Sequence, residues 1–258
     1  MNIITSTNIT KRFGGLQAIH DLDIAVEEAS ISSIIGPNGA GKTTFFNCIT
    51  GYYKPEFGTI QLLEQEITGL PPHKIAEKGI SRTYQNIRLF ASLTALENIM
   101  AGEHTILQST FADSLFSLKR YRQEEMEAVD RAKQTLCFVG LQGCGDQIAS
   151  SLAYGAQRRL EIARAIANMP KVLLLDEPTA GMNPSETQEM IKLIRRLRDE
   201  LGITIILIEH DIKLVMQISE KIVVLDFGAK IAEGKPGEIQ NDALVIEAYL
   251  GKKSSIYQ

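Results

Sequence analysis

Hydrophobic positions along the chain follow several distinct patterns. Three short apolar runs, at 172–175, 203–208 and 222–225, are almost unbroken in Val, Ile and Leu. Such runs predict strands buried on both faces of a largely parallel sheet. Between the first two, Met190, Leu193, Ile194, Leu197 and Leu201 recur at helical spacing, and Gly202 stands where a helix would end, which predicts a crossover helix. Ile31 to Ile35 reads as another short buried strand, with a helix starting over Thr43 to Thr50. Ile3 to Val26 carries period-two patches around a turn at Gly14-Gly15 and predicts an antiparallel strand group. Residues from about 90 to 155 have few β-branched runs, a polar stretch from Lys119 to Lys133 and a helical pattern through Glu124 to Val139, so an inserted helical lobe is expected there. From Gly251 the tail is short and polar. The class is α/β, a single module without internal repeats or long linkers.

Composition narrows the picture. With 258 residues, 44% of them hydrophobic, the chain can bury one large core with a smaller lobe. A formal net charge of −4 gives no general footprint for nucleic acid or an anionic membrane surface. No apolar run approaches the ~20 residues of a membrane-spanning helix, and the N-terminus lacks the pattern of a secretion signal, so a cytoplasmic location is expected. Cys48, Cys137 and Cys144 include no C-x-x-C pair and are read as reduced packing residues.

Between the strand at Ile31 to Ile35 and the helix after it lies Gly36-Pro37-Asn38-Gly39-Ala40-Gly41-Lys42-Thr43-Thr44, which fits the phosphate-cradling pattern G-x-x-x-x-G-K-[ST]. A polyphosphate needs several backbone N–H donors aimed at one place and a positive helix end behind them. The glycines permit that approach, Lys42 can reach the outer phosphates, and the Thr43 hydroxyl can bind Mg²⁺. Nucleotide binding follows.

Val172-Leu173-Leu174-Leu175-Asp176-Glu177 places two carboxylates at the end of a buried strand, where open α/β sheets put their ligand chemistry. Asp176 is suited to hold Mg²⁺ through its water shell. Glu177 points elsewhere in an alternating strand and could orient a water for attack on the γ-phosphate. Acidic residues also simply end strands at the surface, and the phosphate loop is what favours the chemical reading. Pro178 stops the strand and helps fix the carboxylate direction. His210 follows the next strand and could donate to the γ-phosphate. Gln85, in Ser81-Arg82-Thr83-Tyr84-Gln85-Asn86, lies just before the lobe and could touch metal or attacking water. His20, His73 and His104 have no comparable setting and read as ordinary residues. Phe13, beside the Gly-Gly turn, reads as a packing residue or as a base platform.

With Leu152-Ala153-Tyr154-Gly155-Ala156-Gln157-Arg158-Arg159 one helix before Val172 to Glu177, the chain resembles the ATP-binding subunits of ABC transporters over essentially its whole length. Gln85-Asn86-Ile87-Arg88-Leu89-Phe90, Leu152 to Gly155 and the stretch 158–167 make it similar to the ATPase subunits of branched-chain amino acid importers. The resemblance implies a RecA-like P-loop NTPase core at 1–89 and 156–258, with an N-terminal antiparallel β subdomain and an α-helical subdomain inserted at 90–155. It implies ATP and Mg²⁺ as cofactors, Phe13 stacked on adenine, Gln85 coupling the lobe, Thr43, Gln85 and Asp176 at the metal, Glu177 as base, and His210 as switch. It also implies that Ala153, Tyr154, Gly155 and Ala156 act across a dimer, on the nucleotide of a second ATP-binding subunit. Membrane-spanning permease subunits would dock on the helical lobe, a substrate-binding protein would take part indirectly, and the chain would sit on the cytoplasmic face of the membrane.

Two positions depart from the family pattern. Its signature begins Leu-Ser-Gly-Gly-Gln, whereas Ala153 replaces the serine here, so contact across the dimer must rely on backbone N–H groups and a helix dipole. The family's usual aspartate near 183 is Asn183, which keeps hydrogen-bonding capacity without charge. Two rivals are disfavoured. ABC ATPases of DNA repair or ribosome function carry a coiled-coil insertion or tandem cassettes, and a small-molecule P-loop kinase would not need the segment at 152–159. Urea, another small solute or lipopolysaccharide stays open as the cargo, because other subunits select it.

Overall fold

The computed structural model describes residues 1–103 and 119–250, so His104 and the tail from Gly251 lie outside the described residues. The period-two N-terminal stretch forms a hairpin of β1 (Asn2–Phe13) and β2 (Leu16–Glu27), turning at Gly14-Gly15 as the sequence predicts. Alternation decides the faces of β2, where Leu22, Ile24 and Val26 are buried and the residues between them are not, whereas β1 buries the adjacent pairs Ile3-Ile4 and Ile9-Thr10 where its register with β2 shifts. β4 (Phe57–Leu62) and β5 (Gln65–Glu66) complete this antiparallel sheet in the order β2-β1-β4-β5.

The second sheet holds β3 (Ile31–Ile35), β6 (Ile80–Arg82), β7 (Val172–Asp176), β8 (Thr204–Ile208), β9 (Lys221–Asp226) and β10 (Ala229–Gly234), in the order β10-β9-β3-β8-β7-β6. Its first five strands in chain order run parallel, and β10 returns antiparallel from a tight hairpin at Phe227-Gly228. The three apolar runs of the sequence are β7, β8 and β9, and every residue of β3, β7 and β8 is buried. The sheet is covered on both sides, which is why these strands read as continuous rather than alternating. Leu173, Leu175, Ile205 and Leu207 enter one hydrophobic cluster, and Val172, Leu174, Ile206 and Ile208 enter the other.

Helices α1 (Lys42–Ile49) and α2 (Pro72–Glu77) lie with the first part of the chain. α3 (Ala95–Gly102), α4 (Lys119–Phe138) and α5 (Tyr154–Ile166) follow, then the crossover helix α6 (Pro184–Leu201), α7 (Ile212–Ile218), α8 (Pro236–Gln240) and α9 (Ala243–Leu250). α6 buries Met190, Leu193, Ile194 and Leu197 and ends at Gly202, whose φ of 67° is left-handed. That is the C-cap geometry glycine adopts without penalty. α3 opens with a capping box at Thr94 and Glu97.

The helices expected of the lobe are present, with α4 spanning the pattern at Glu124 to Val139. Ala95 and Ile99 of α3 and Ala132 and Leu136 of α4 belong to the same cluster as Leu160 and Ile162 of α5 and Leu173 and Leu175 of β7. Their core is therefore continuous with the sheet through α5.

Candidate functional site

β3 runs straight into the phosphate-loop sequence, and α1 begins at Lys42 with Gly41 as its N-cap. Gly36 and Gly41 have φ of 148° and 98°, and a Cβ at either would lie 2.0 Å from the Leu225 carbonyl oxygen or 2.6 Å from that of Ala18. The loop is thus pressed between β9 and β2, and only glycine fits at its two ends. α1 carries no side-chain cap, so the N–H groups of its first turn are left without a side-chain acceptor, as an anion site requires.

The loop opens into a cleft of about 1110 Å³ lined by Phe13, Lys42, Thr43, Gln85, Glu177 and His210, among others. Asn38, Gly39, Ala40, Gly41 and Thr44 also line it, whereas Ala153, Tyr154, Gly155 and Ala156 do not. Lys42 is buried and donates to the Gly36 and Pro37 carbonyl oxygens at 2.7 and 2.9 Å. Burial pulls its pKa below the ordinary lysine value, against the opposing pull of Glu177 and Asp176.

Glu177 is the centre of the arrangement. The Gln85 Nε2 amide donates to its Oε2 at 3.0 Å, and His210 Nε2 lies 2.9 Å from its Oε1. The divergence of Glu177 from Asp176 arises differently from the strand alternation expected above. β7 ends at Asp176, and Glu177 has φ of 49°. A left-handed backbone at a non-glycine residue costs about 1–2 kcal/mol. It is held by Glu177 N–H donating to the Ile208 carbonyl at 2.9 Å and by Ala180 N–H donating back to the Glu177 carbonyl at 3.2 Å. The backbone turn, followed by Pro178, aims the carboxylate into the cleft.

Asp176 is buried and pairs with Arg82, whose Nη2 lies 2.8 Å from Oδ2. Arg82 also donates to Asn47 Oδ1 at 2.6 Å. Oδ1 of Asp176 takes no part in that ion pair. The Thr43 hydroxyl and the Gln85 amide, which line the cleft, and the Asp176 carboxylate, which does not, each carry hard oxygen donors of the kind Mg²⁺ takes. Among the described residues no three His, Cys, Asp or Glu side chains gather as a metal cage.

Four residues at the site escaped the sequence reading. Arg82 fixes Asp176; its signal lay in the pairing of β6 with β7, which sets a cation beside the end of the acidic strand. Glu209 is buried, accepting from Thr179 N–H and hydroxyl at 3.1 and 2.5 Å and from His210 N–H at 3.1 Å. Arg158 reaches the backbone of Gln85 and Glu177. Phe227, 90% exposed and at φ of 42°, lines the cleft beside the phosphate loop, next to Gly228, whose N–H donates to the Ala40 carbonyl at 3.2 Å. Phe13 itself is half-exposed and meets Tyr53 edge-on, with ring centroids 5.1 Å apart. His20 is exposed, next to Asp21, and His73 lines a separate groove.

The segment preceding α5 places Ala153 as N-cap and Tyr154 in the first turn, both exposed, with Gly155 buried against Glu186. Asn183 proves to be the N-cap of α6. Its side chain accepts from Glu186 N–H at 3.0 Å, and Glu186 Oε2 accepts from Asn183 N–H at 3.0 Å. Of the three cysteines, Cys48 is buried, with burial pushing its thiol up to about 12, whereas Cys137 is exposed.

A parallel sheet, a glycine-rich turn opening a helix, and carboxylates at the ends of neighbouring strands define a P-loop nucleotide hydrolase. Comparison with known proteins narrows the class. The family model described as ABC transporter matches residues 19–180, and the chain belongs to that family as an ATP-binding subunit with ATPase activity. A model for the branched-chain amino acid ATP-binding cassette transporter matches residues 229–253.

The high-affinity branched-chain amino acid transport ATP-binding protein BraF of Pseudomonas aeruginosa is 50% identical over 250 residues, covering 97% of this chain and 98% of its own. LivG of Escherichia coli, described in the same words, is 46% identical with the same coverage. Among solved structures, a nucleotide-free ATP-binding cassette from an ABC transporter superposes with a TM-score of 0.85 at 33% identity, over 98% of this chain and 100% of that one. A dimeric cassette in a post-hydrolysis state bound to ADP and Pi gives 0.76 at 26% identity, over 90% of this chain and 98% of that one. No described helix is long and apolar enough to cross a membrane.

Proposed function

We propose that the chain is the ATP-hydrolysing motor subunit of a branched-chain amino acid importer, working as one half of a dimer on the cytoplasmic face of the membrane. The cargo assignment is supported by the full-length likeness to BraF and LivG and by the match at 229–253. The observation that carries the chemistry is the Glu177 carboxylate, held between Gln85 and His210 at the mouth of the phosphate-loop cleft.

In this reading the loop from Gly36 to Thr44 cradles the phosphates of ATP and Lys42 swings from its carbonyl partners to the outer ones. Phe13 and Phe227 flank the base. Thr43, Gln85 and Asp176 would hold Mg²⁺, which when bound neutralises phosphate charge. Glu177 orients a water and takes its proton, while Gln85 fixes the carboxylate. His210 donates to the γ-phosphate, and Glu209 holds the His210 backbone. Ala153 to Ala156 lie outside the cleft of their own chain, which supports their acting on the nucleotide of a second subunit through backbone N–H groups and the α5 dipole.

For the permease, we place the contact on the lobe where it meets the core, at the separate groove of about 500 Å³ lined by Phe90, Ala101 and Gly102 of the lobe and by Tyr52, Tyr84 and Arg164 of the core. Residues 1–89 and 156–258 then act as the nucleotide-binding core and 90–155 as the lobe that moves with the membrane partner. No nucleic acid takes part.

The test is ATP hydrolysis against protein concentration for wild type and Glu177→Gln, with size measured in ATP and Mg²⁺. Wild-type activity should rise more steeply than linearly. Glu177→Gln should lose about 10²-fold or more in turnover and accumulate as an ATP-bound dimer. Linear activity from a monomer would refute the dimeric motor. With its permease partners in vesicles, ATP-driven uptake of leucine rather than urea is the expected cargo result.

A further inference from the structure

Among the described residues Arg158 is the largest fully buried side chain, at 0% exposure, and it forms an ion pair with Glu161, itself buried, one turn further along α5. Nη1 donates to the Tyr84 carbonyl at 2.6 Å and to Glu161 Oε2 at 2.9 Å. Nη2 donates to the Gln85 carbonyl at 2.7 Å and to the Glu177 carbonyl at 3.4 Å. Glu161 Oε1 in turn accepts from Arg88 N–H at 3.0 Å. Nε is buried without a hydrogen-bond partner.

A buried ion pair is a poor way to hold a helix against a sheet, since matched apolar side chains do so as well or better. What apolar side chains cannot do is anchor carbonyls from two separate segments at fixed spacing, which suits the planar fork of a guanidinium. The two segments are those carrying Gln85 and Glu177, whose side chains meet at 3.0 Å. The helix holding the fork begins at Tyr154, one turn before Arg158.

We propose that Arg158 is a positioning residue for hydrolysis. It registers the Gln85–Glu177 pair to α5, so that alignment of the water-activating carboxylate depends on what meets the N-terminus of that helix. This rests on the proposed reading of Glu177 as base and of 153–156 as the segment facing a second subunit. Tyr84 is fixed in the same assembly. Its ring lies 4.4 Å from the Arg88 guanidinium carbon and its hydroxyl 2.7 Å from that of Tyr52, so the segment bearing Gln85 is clamped on both sides.

The experiment compares wild type, Glu177→Gln, Arg158→Lys and the double variant Arg158→Met/Glu161→Gln, by steady-state kinetics, ATP affinity and thermal unfolding. The double variant removes both charges together, so no bare carboxylate is buried, and it keeps an amide oxygen for Arg88 N–H. Its kcat should fall about 10-fold or more, with ATP affinity within about threefold of wild type because the phosphate loop is untouched. Arg158→Lys, whose single ammonium cannot span both segments, should show the same split in milder form, and it carries the test if the double variant does not fold.

A purely structural role would lower the unfolding temperature with kcat per folded molecule unchanged. That outcome, in either variant, while Glu177→Gln is inactive, overturns the positioning role alone. Wild-type turnover in Glu177→Gln overturns the reading of the site and this inference with it.

Discussion

At the scale of single residues, Lys42 shows how a nucleotide site is poised before its ligand arrives. Its ammonium is buried against two loop carbonyls, and burial depresses its pKa although Glu177 and Asp176 pull the other way. The folded state therefore favours the neutral amine more than the unfolded chain does. The resulting penalty is present below the depressed value and is relieved as pH rises through it. Triphosphate oxygens restore the charged form, so ATP binding should take up protons between the depressed value and the ordinary lysine value of 10.5. Calorimetry in alkaline buffers of differing ionisation enthalpy measures this uptake, which should vanish in Lys42→Met. The sequence disclosed Lys42 because its neighbours in space are its neighbours in the chain. Arg82, Glu209 and Arg158 were hidden for the opposite reason, since the partners that tie them to the site lie 94, 30 and 74 positions away, and the helical pairing of Arg158 with Glu161 reads like any other i,i+3 pair.

At the scale of elements, α6 accounts for one of the two departures from the family pattern. Asn183 is placed to cap that helix reciprocally with Glu186, a task that requires an acceptor oxygen and no charge. Asn183→Ala should cost about 1 kcal/mol, read as a drop of about 2–4 °C in unfolding temperature for a chain of this size. Asn183→Asp should hold or slightly raise stability, because a negative charge at a helix N-terminus is favourable. β7, β8, β9 and α6 were legible from the hydrophobic pattern alone, being short, nearly unbroken apolar runs and a clean amphipathic stripe. β5 and β6 were not, because they span two and three residues, too few to display a period. Glu177 was found for its chemistry, but its geometry was misread: an alternating strand was expected and a left-handed turn aims it.

At the scale of the whole molecule, three hydrophobic clusters share the six-stranded sheet: one holds Leu173 and Leu175, another Val172 and Leu174, and a smaller third Ile35, Ile222 and Val224. The helices of the lobe draw on the first of them through α5, which also carries Arg158 and begins at Tyr154. Lobe, sheet and the segment bearing Glu177 are thereby joined by one helix. The chain also contains no tryptophan, and Phe227 stands almost fully exposed on the hairpin at the lip of the nucleotide cleft. Phe227→Trp would place a lone indole there, giving the protein an intrinsic fluorescence signal of its own. Its emission should shift toward the blue as adenine displaces water from the ring and return on release, so one optical trace would follow nucleotide entry and exit; an unchanged spectrum at saturating ATP would place the base away from Phe227.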